Sequence, residues 1–246
     1  MITRESRLFL SRWLRSPMHV GSIAPSSRRL ADAIARQVPM DSPGWIIELG
    51  GGTGVVTAAL LRAGLAPGRL VVIERDPLLH KHLVERFPEV HVILGDAAKL
   101  AEALRPLGIR PPDKAAAAKA PRSKSRGNGS GKGANGQGKA DESRVAAIVS
   151  GLPLLTFPRP LQDEIVRGAF AFLPPGAPFL QFTYGPMSPI PRERFKIEGR
   201  VAKRIIANLP PASIWVYRRR GDTAAVESRK VPAAKARRAQ SRSQPR

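Results

Sequence analysis

The chain has 246 residues, enough for one sizeable core with appendages, and no cysteine, which excludes disulfide frameworks and thiolate metal sites. No apolar run approaches the ~18 residues that a membrane crossing needs. Arg7, Arg12 and Arg15 interrupt the short apolar stretches near the start, which argues against a cleaved leader and makes a cytoplasmic protein the expectation.

The formal net charge is +22 and is unevenly placed. Arg110 to Arg144 carries nine basic and three acidic residues, Arg218 to Arg246 ten and two, so these segments hold 14 of the 22 charges. The first contains "KAPRSKSRGNGSGKGANGQGKADES" and the second ends "VPAAKARRAQSRSQPR". Neither has core-forming periodicity, and both are expected to stay disordered. Their composition is compatible with binding anionic lipid, with nonspecific RNA binding, or with simple solubilisation.

In chain order, Ile2 to Arg15 reads as an amphipathic helix. Ile2, Phe9, Leu10, Trp13 and Leu14 fall in one arc and Arg4, Arg7, Arg12 and Arg15 opposite, with Leu8 the exception. Trp and Phe on one face with arginines on the other suit an anionic membrane interface.

A strand–helix alternation follows. The expected strands are "GWIIELG" (44–50), "RLVVIER" (69–75), "VHVILGD" (90–96), "RVAAIVSGL" (144–152) and "APFLQFTYG" (177–185). The helices between them are "TGVVTAALLRAG", "PLLHKHLVERF", "AAKLAEALRPLG" and "RPLQDEIVRGAFAFL" (159–173). Continuous β-branched runs alternating with helices imply an α/β fold with a parallel sheet covered on both faces. The end differs: "RVAKRIIANLPPASIWVYRRR" reads as an antiparallel hairpin, about 200–208 and 212–219. The basic insert, placed at 110–143, falls between a helix and a strand, where a loop tolerates it.

Between the first strand and its helix stands "ELGGGTGVVT". A dinucleotide fingerprint needs glycines at relative positions 1, 3 and 6, but here Gly50, Gly52 and Gly54 are followed by Val55. A phosphate-binding P-loop is excluded because no Lys-Ser/Thr follows the glycines. What remains, E-x-G-x-G-x-G after a strand, resembles motif I of S-adenosylmethionine (SAM) methyltransferases. That cofactor has no phosphate, so glycine serves close backbone approach and a sharp turn. Glu74 closes the second strand, where a carboxylate accepts from both ribose hydroxyls. Asp96 closes the third, placed to accept from the exocyclic amine of adenine. Glu48 either binds near the methionine amine or caps the loop. Ala97 and Ser150 complete the expected cofactor-binding set.

The five parallel strands and final hairpin are likewise similar to the class I methyltransferase sheet, Rossmann-like and seven-stranded, whose last strand inserts antiparallel. The fourth strand ends "SGLPLL" (150–155) at the position that faces the acceptor. Enzymes that methylate the adenine amino group typically have Asn-Leu-Pro-Tyr there, the Asn and a backbone carbonyl accepting from the base amine and the Tyr stacking. Here Gly151 replaces the Asn and Leu154 the Tyr, which argues against a flipped adenine, with Ser150 or Phe157 as partial substitutes.

"FLSRWLRSPMHVGSIAPSSRRLADAIA", "ELGGGTGVVT", "SGLPLLTFP", "FLQFTYGP" and "NLPPASIWVYRR" together resemble bacterial phospholipid N-methyltransferases, relatives of the rRNA adenine dimethylases. The resemblance spans most of residues 8–219, without the insert and tail. It implies methyl transfer from SAM to phosphatidylethanolamine, up to phosphatidylcholine, by an enzyme docked on the inner face of the cytoplasmic membrane. The expected organisation is a membrane-binding and cap-helix region (1–35), a methyltransferase domain (36–219) and a basic tail (220–246). RNA is the alternative substrate, and no obligate protein partner is inferred.

The acceptor ammonium must lose a proton before it can attack. Tyr184, Ser26, Ser27 and His19 are the candidates near the mouth, with Tyr184 favoured to orient the amine rather than to act as base. His80, His82 and His91 lack a carboxylate-rich ligand set, so no metal is expected.

Overall fold

The computed structural model describes residues 25–112, 143–184, 187–206 and 211–220, the side chains of residues 25–27 excepted. The strands are β1 (Trp45–Leu49), β2 (Leu70–Glu74), β3 (His91–Leu94), β4 (Val145–Ser150), β5 (Phe179–Tyr184), β6 (Ile197–Ile205) and β7 (Ala212–Arg219). They form one sheet in the order β3-β2-β1-β4-β5-β7-β6. The first five run parallel, with Ile47 level with both Val71 and Ile148. β7 lies antiparallel between β5 and β6, pairing Trp215 with Gln181 and with Val201. The chain steps outward from β1 to β3 and then returns to β4 beside β1, so the sheet's switch point lies between β1 and β4.

Helices α1 (Pro25–Ala35), α2 (Val55–Arg62) and α3 (Pro77–Arg86) cover one face. Leu30, Ile34, Leu60 and Leu83 pack there on Ile46, Val72 and Leu180. Helices α4 (Leu100–Leu104) and α5 (Arg159–Phe172) cover the other, where Leu104, Ile165 and Phe170 meet Ile47, Ile73 and Phe179. Two covered faces explain why β2 reads as an unbroken apolar run with every residue buried.

Local chemistry sets the boundaries. α3 opens because Asp76 accepts from the Leu78 and Leu79 amides at 2.8 and 3.1 Å while Pro77 supplies a preset φ. Arg69, just ahead of β2, donates to the carbonyls of Met40, Ser42 and Gly44 and so closes the connection from α1 into β1.

Two expectations are adjusted. The third helix breaks into the 3-10 turns Ala97–Lys99 and Arg105–Leu107 around α4, since Pro106 lacks an N–H and Gly108 turns left-handed at φ 68°. β6 starts at Ile197 rather than near 200, and the short helix α6 (Arg192–Phe195) precedes it. A register shift between Val201 and Lys203 interrupts the pairing of β6, nine residues long, with β7. The amphipathic helix of residues 2–15, His19, nearly all of the insert, the tail beyond 220 and residues 207–210 of the hairpin turn lie outside the described residues. Within the described residues no helix is long and apolar enough to cross a membrane.

Candidate active site

The glycine loop forms where β1 stops and α2 begins. Gly50, Gly52 and Gly54 all take left-handed backbone angles, φ 77°, 55° and 77°. Crowding differs among them. A Cβ on Gly54 would lie 2.4 Å from the Phe87 ring and one on Gly50 2.7 Å from Leu152, whereas one on Gly52 would meet nothing within 4 Å. Gly52 therefore faces open space at the tip of the loop and presents bare backbone to it.

Glu74 anchors that tip. Its Oε2 accepts from the Gly52 amide at 2.8 Å, and its Oε1 from the Arg75 and Asp76 amides at 2.8 and 2.9 Å. A carboxylate offers roughly four acceptor positions, so the three amides leave one of them open. Asp96 holds the next turn, its Oδ1 accepting from the Ala98 amide at 3.0 Å, while Oδ2 stands 3.9 Å from the Arg75 guanidinium. Ala97 is buried beside it. Gly50, Gly52, Gly54, Glu74, Asp96 and Ala97 thus gather at the carboxyl ends of β1, β2 and β3.

Glu48 and Ser150 sit deeper. Glu48 is buried in β1, and its Oε2 accepts from the Thr57 hydroxyl of α2 at 2.7 Å. Burial pushes its carboxyl up to about 8, Thr57 opposes this, and the neighbouring Glu74 charge adds to it. The group ties β1 to α2 beneath the loop. Because its folded-state value exceeds the ordinary 4.5, folding stability falls as pH rises from about 4.5 to about 8 and levels off above. In Glu48→Gln this contribution vanishes, so the variant's stability relative to the parent is expected to rise across that window. Thermal midpoints of both proteins from pH 5 to 9 test this, and parallel curves would reject it. Ser150 is fully buried at the end of β4, its Oγ accepting from the Leu152 amide at 3.3 Å.

The acceptor-side loop is built against the glycine loop. The Gly151 amide donates to the Leu49 carbonyl at 2.9 Å, and a Cβ on Gly151 would come within 2.9 Å of the Gly50 carbonyl oxygen. The two loops touch backbone to backbone, so no side chain fits at 151 without a shift. The next carbonyl, that of Leu152, already accepts from the Leu154 amide and from Gln181 Nε2, both at 2.9 Å. Gln162 of α5 secures the same loop, donating to the Leu154 carbonyl at 2.8 Å and to that of Pro189 at 3.1 Å. Leu154 is buried, Leu155 exposed and Phe157 partly buried.

Tyr184 ends β5 with about half its surface exposed. Its ring meets Phe182 edge-on at 5.8 Å, and partial burial raises its phenol above the ordinary value. Thr57, Gln162 and Gln181 escaped the sequence reading, although a polar residue inside "FLQFTY" and one on the apolar side of α5 were the available signals. His91 packs edge-on against Trp45 at 5.3 Å. Among the described residues no group of three or more His, Asp or Glu side chains is placed to hold a metal ion.

No protein-family model matches the chain. A solved 1,6-didemethyltoxoflavin-N1-methyltransferase of Burkholderia thailandensis, holding S-adenosylhomocysteine, superposes with a TM-score of 0.52 over 87% of this chain and 89% of its own, at 14% identity. The fold is that of class I methyltransferases. In sequence, the chain is 29% identical over 182 residues to an ornithine lipid N-methyltransferase of Singulisphaera acidiphila, covering 73% of this chain and 78% of the relative. A ribosomal RNA small subunit methyltransferase A of Nitratidesulfovibrio vulgaris is 33% identical over 87 residues, covering 34% of this chain and 32% of the relative.

Proposed function

We propose that this chain transfers methyl groups from SAM to the primary amine of a membrane lipid, phosphatidylethanolamine being the acceptor we expect, towards phosphatidylcholine. That it is a SAM-dependent methyltransferase is the coarser statement, carried by its fold and its relationship to the lipid N-methyltransferase. The lipid reading rests above all on the acceptor-side loop. Adenine-amine methylation uses an Asn amide, a free carbonyl and a stacking ring. Here position 151 has no room for a side chain, the Leu152 carbonyl already receives two donors, and Leu154 replaces the ring. What the loop still offers is apolar, an exposed Leu155 and a partly buried Phe157, suited to a lipid rather than a base. We place the reaction at an anionic membrane surface, with the chain peripheral on the cytoplasmic side.

SAM supplies an electrophilic methyl group on sulfonium, open to in-line displacement, so positioning carries much of the rate. On the donor side Gly52 gives bare backbone, and Glu74 and Asp96 offer acceptors for ribose and adenine, with Gly50, Gly54 and Ala97 shaping the cradle. Glu48 and Ser150 support the loops from below. On the acceptor side Tyr184 orients the neutral amine through its hydroxyl.

Labelled SAM incubated with vesicles containing phosphatidylethanolamine, with vesicles containing ornithine lipid, and with undermodified ribosomal RNA tests the assignment. We expect label in phosphatidylethanolamine. Label confined to ornithine lipid would keep lipid N-methylation and change the acceptor, while label in RNA alone would overturn the reading in favour of the partial ribosomal RNA relative.

A further inference from the structure

Large apolar side chains left exposed are not scattered evenly over this molecule. Of those exposed among the described residues, Leu78, Leu94, Leu155, Tyr184, Met187 and Ile206 follow the carboxyl ends of β2, β3, β4, β5 and β6, and Val84 alone lies elsewhere, within α3. The strand directions make this one edge: β5 and β6 both run antiparallel to β7, so β6 ends on the same side as the parallel strands. Leu78 (79% exposed), Met187 (69%) and Ile206 (81%) stand out furthest. This is also the edge on which the glycine loop, Glu74, Asp96 and Tyr184 open.

Cations accompany the rim. Lys203 and Arg204 are exposed just before Ile206.

We propose that the carboxyl edge itself is the membrane-docking face, its apolar rim entering the interface of an anionic bilayer with Lys203 and Arg204 against the lipid phosphates. This rests on the lipid-acceptor reading and adds to it an orientation: the mouth of the site faces the bilayer, so a lipid amine reaches Tyr184 without leaving the membrane. An apolar rim flanked by cations matches an interface with hydrocarbon beneath and negative charge above. RNA would instead be met by stacking aromatics, and Tyr184 is the single aromatic of the six.

The test uses the full chain and two variants whose changes avoid the site, Met187→Ser with Ile206→Ser, and Lys203→Glu with Arg204→Glu. Their partition onto vesicles of phosphatidylcholine, with and without phosphatidylglycerol, is read by flotation in the absence of SAM. The apolar pair is expected to lower partition about tenfold on anionic vesicles. The charge pair is expected to lower it about tenfold there too, with little change on neutral ones. Wild-type partition in both variants would overturn the docking face and leave binding to residues 1–24. Failure of the parent chain to bind vesicles would overturn it as well. So would a selective loss of RNA binding, or of self-association in light scattering, in the variants. Methyl transfer to a detergent-dispersed short-chain phosphatidylethanolamine separates the two ideas. If that transfer proceeds while the variants float like the parent, docking falls and the lipid assignment stands. If the variants lose flotation while no lipid accepts methyl, the reverse holds.

Discussion

Glu74→Ala is expected to weaken SAM binding about 100-fold. The carboxylate does two jobs at once: it accepts from the Gly52 amide and from the amides of Arg75 and Asp76, and it retains capacity for a ribose hydroxyl. A hydrogen bond to a charged group contributes about 1.5–3 kcal/mol. Loss of the ribose contact, together with an unanchored Gly52 tip, amounts to about 3 kcal/mol, or roughly two powers of ten. Glu74→Gln is expected to fall between, because an amide keeps one acceptor oxygen but turns an NH2 group towards backbone donors. Calorimetric titration with S-adenosylhomocysteine measures the affinities, and a thermal midpoint confirms that each variant is folded. An affinity within about threefold of the parent in a folded Ala variant would remove Glu74 from the cofactor site.

Tyr184→Phe is expected to lower kcat on the lipid acceptor by about 10- to 100-fold while leaving SAM affinity unchanged. The amine nitrogen turns cationic as it takes the methyl group, and one hydrogen bond to a charged group, about 1.5–3 kcal/mol, corresponds to that range. The ring stays in place without the hydroxyl, since Phe182 braces it edge-on and the strand pairs with β7 at Ala212. Burial raises the phenol above its ordinary value, so it remains neutral at physiological pH, as the proposed orienting role requires. It follows that the pH–rate profile should keep its shape in the variant and drop in height. A full-rate Tyr184→Phe enzyme would exclude the hydroxyl from the reaction. A profile that lost one limb would make it a proton carrier instead.

Much of this architecture was legible in the residues. Apolar runs such as "LVVI" forecast strands covered on both faces, and Gly50, Gly52 and Gly54 forecast a sharp turn of left-handed backbone. The acids at strand ends were legible as well, because a parallel sheet brings the ends of β1, β2 and β3 together whatever the intervening lengths. Less visible was how those groups are spent. Glu48 read as either a ligand contact or a loop cap, and the structure adds that its Oε2 accepts from Thr57 of the adjoining helix; Ser150, expected in the cofactor-binding set, accepts from the Leu152 amide.

The sequence alone determined the α/β alternation, the antiparallel ending and the type of loop at the first strand, since each is set by local periodicity or by glycine's access to positive φ. Tertiary structure decided the rest. Only the approach of two loops from distant parts of the chain shows that Gly151 has no space for a side chain and that Gln181, thirty residues further along, fills the Leu152 carbonyl. Likewise, only strand directions collect Leu78, Met187 and Ile206 on one edge. Local patterns record what a segment prefers; whether an acceptor is still free, and which side of the molecule meets its partner, depends on neighbours that the chain supplies from elsewhere.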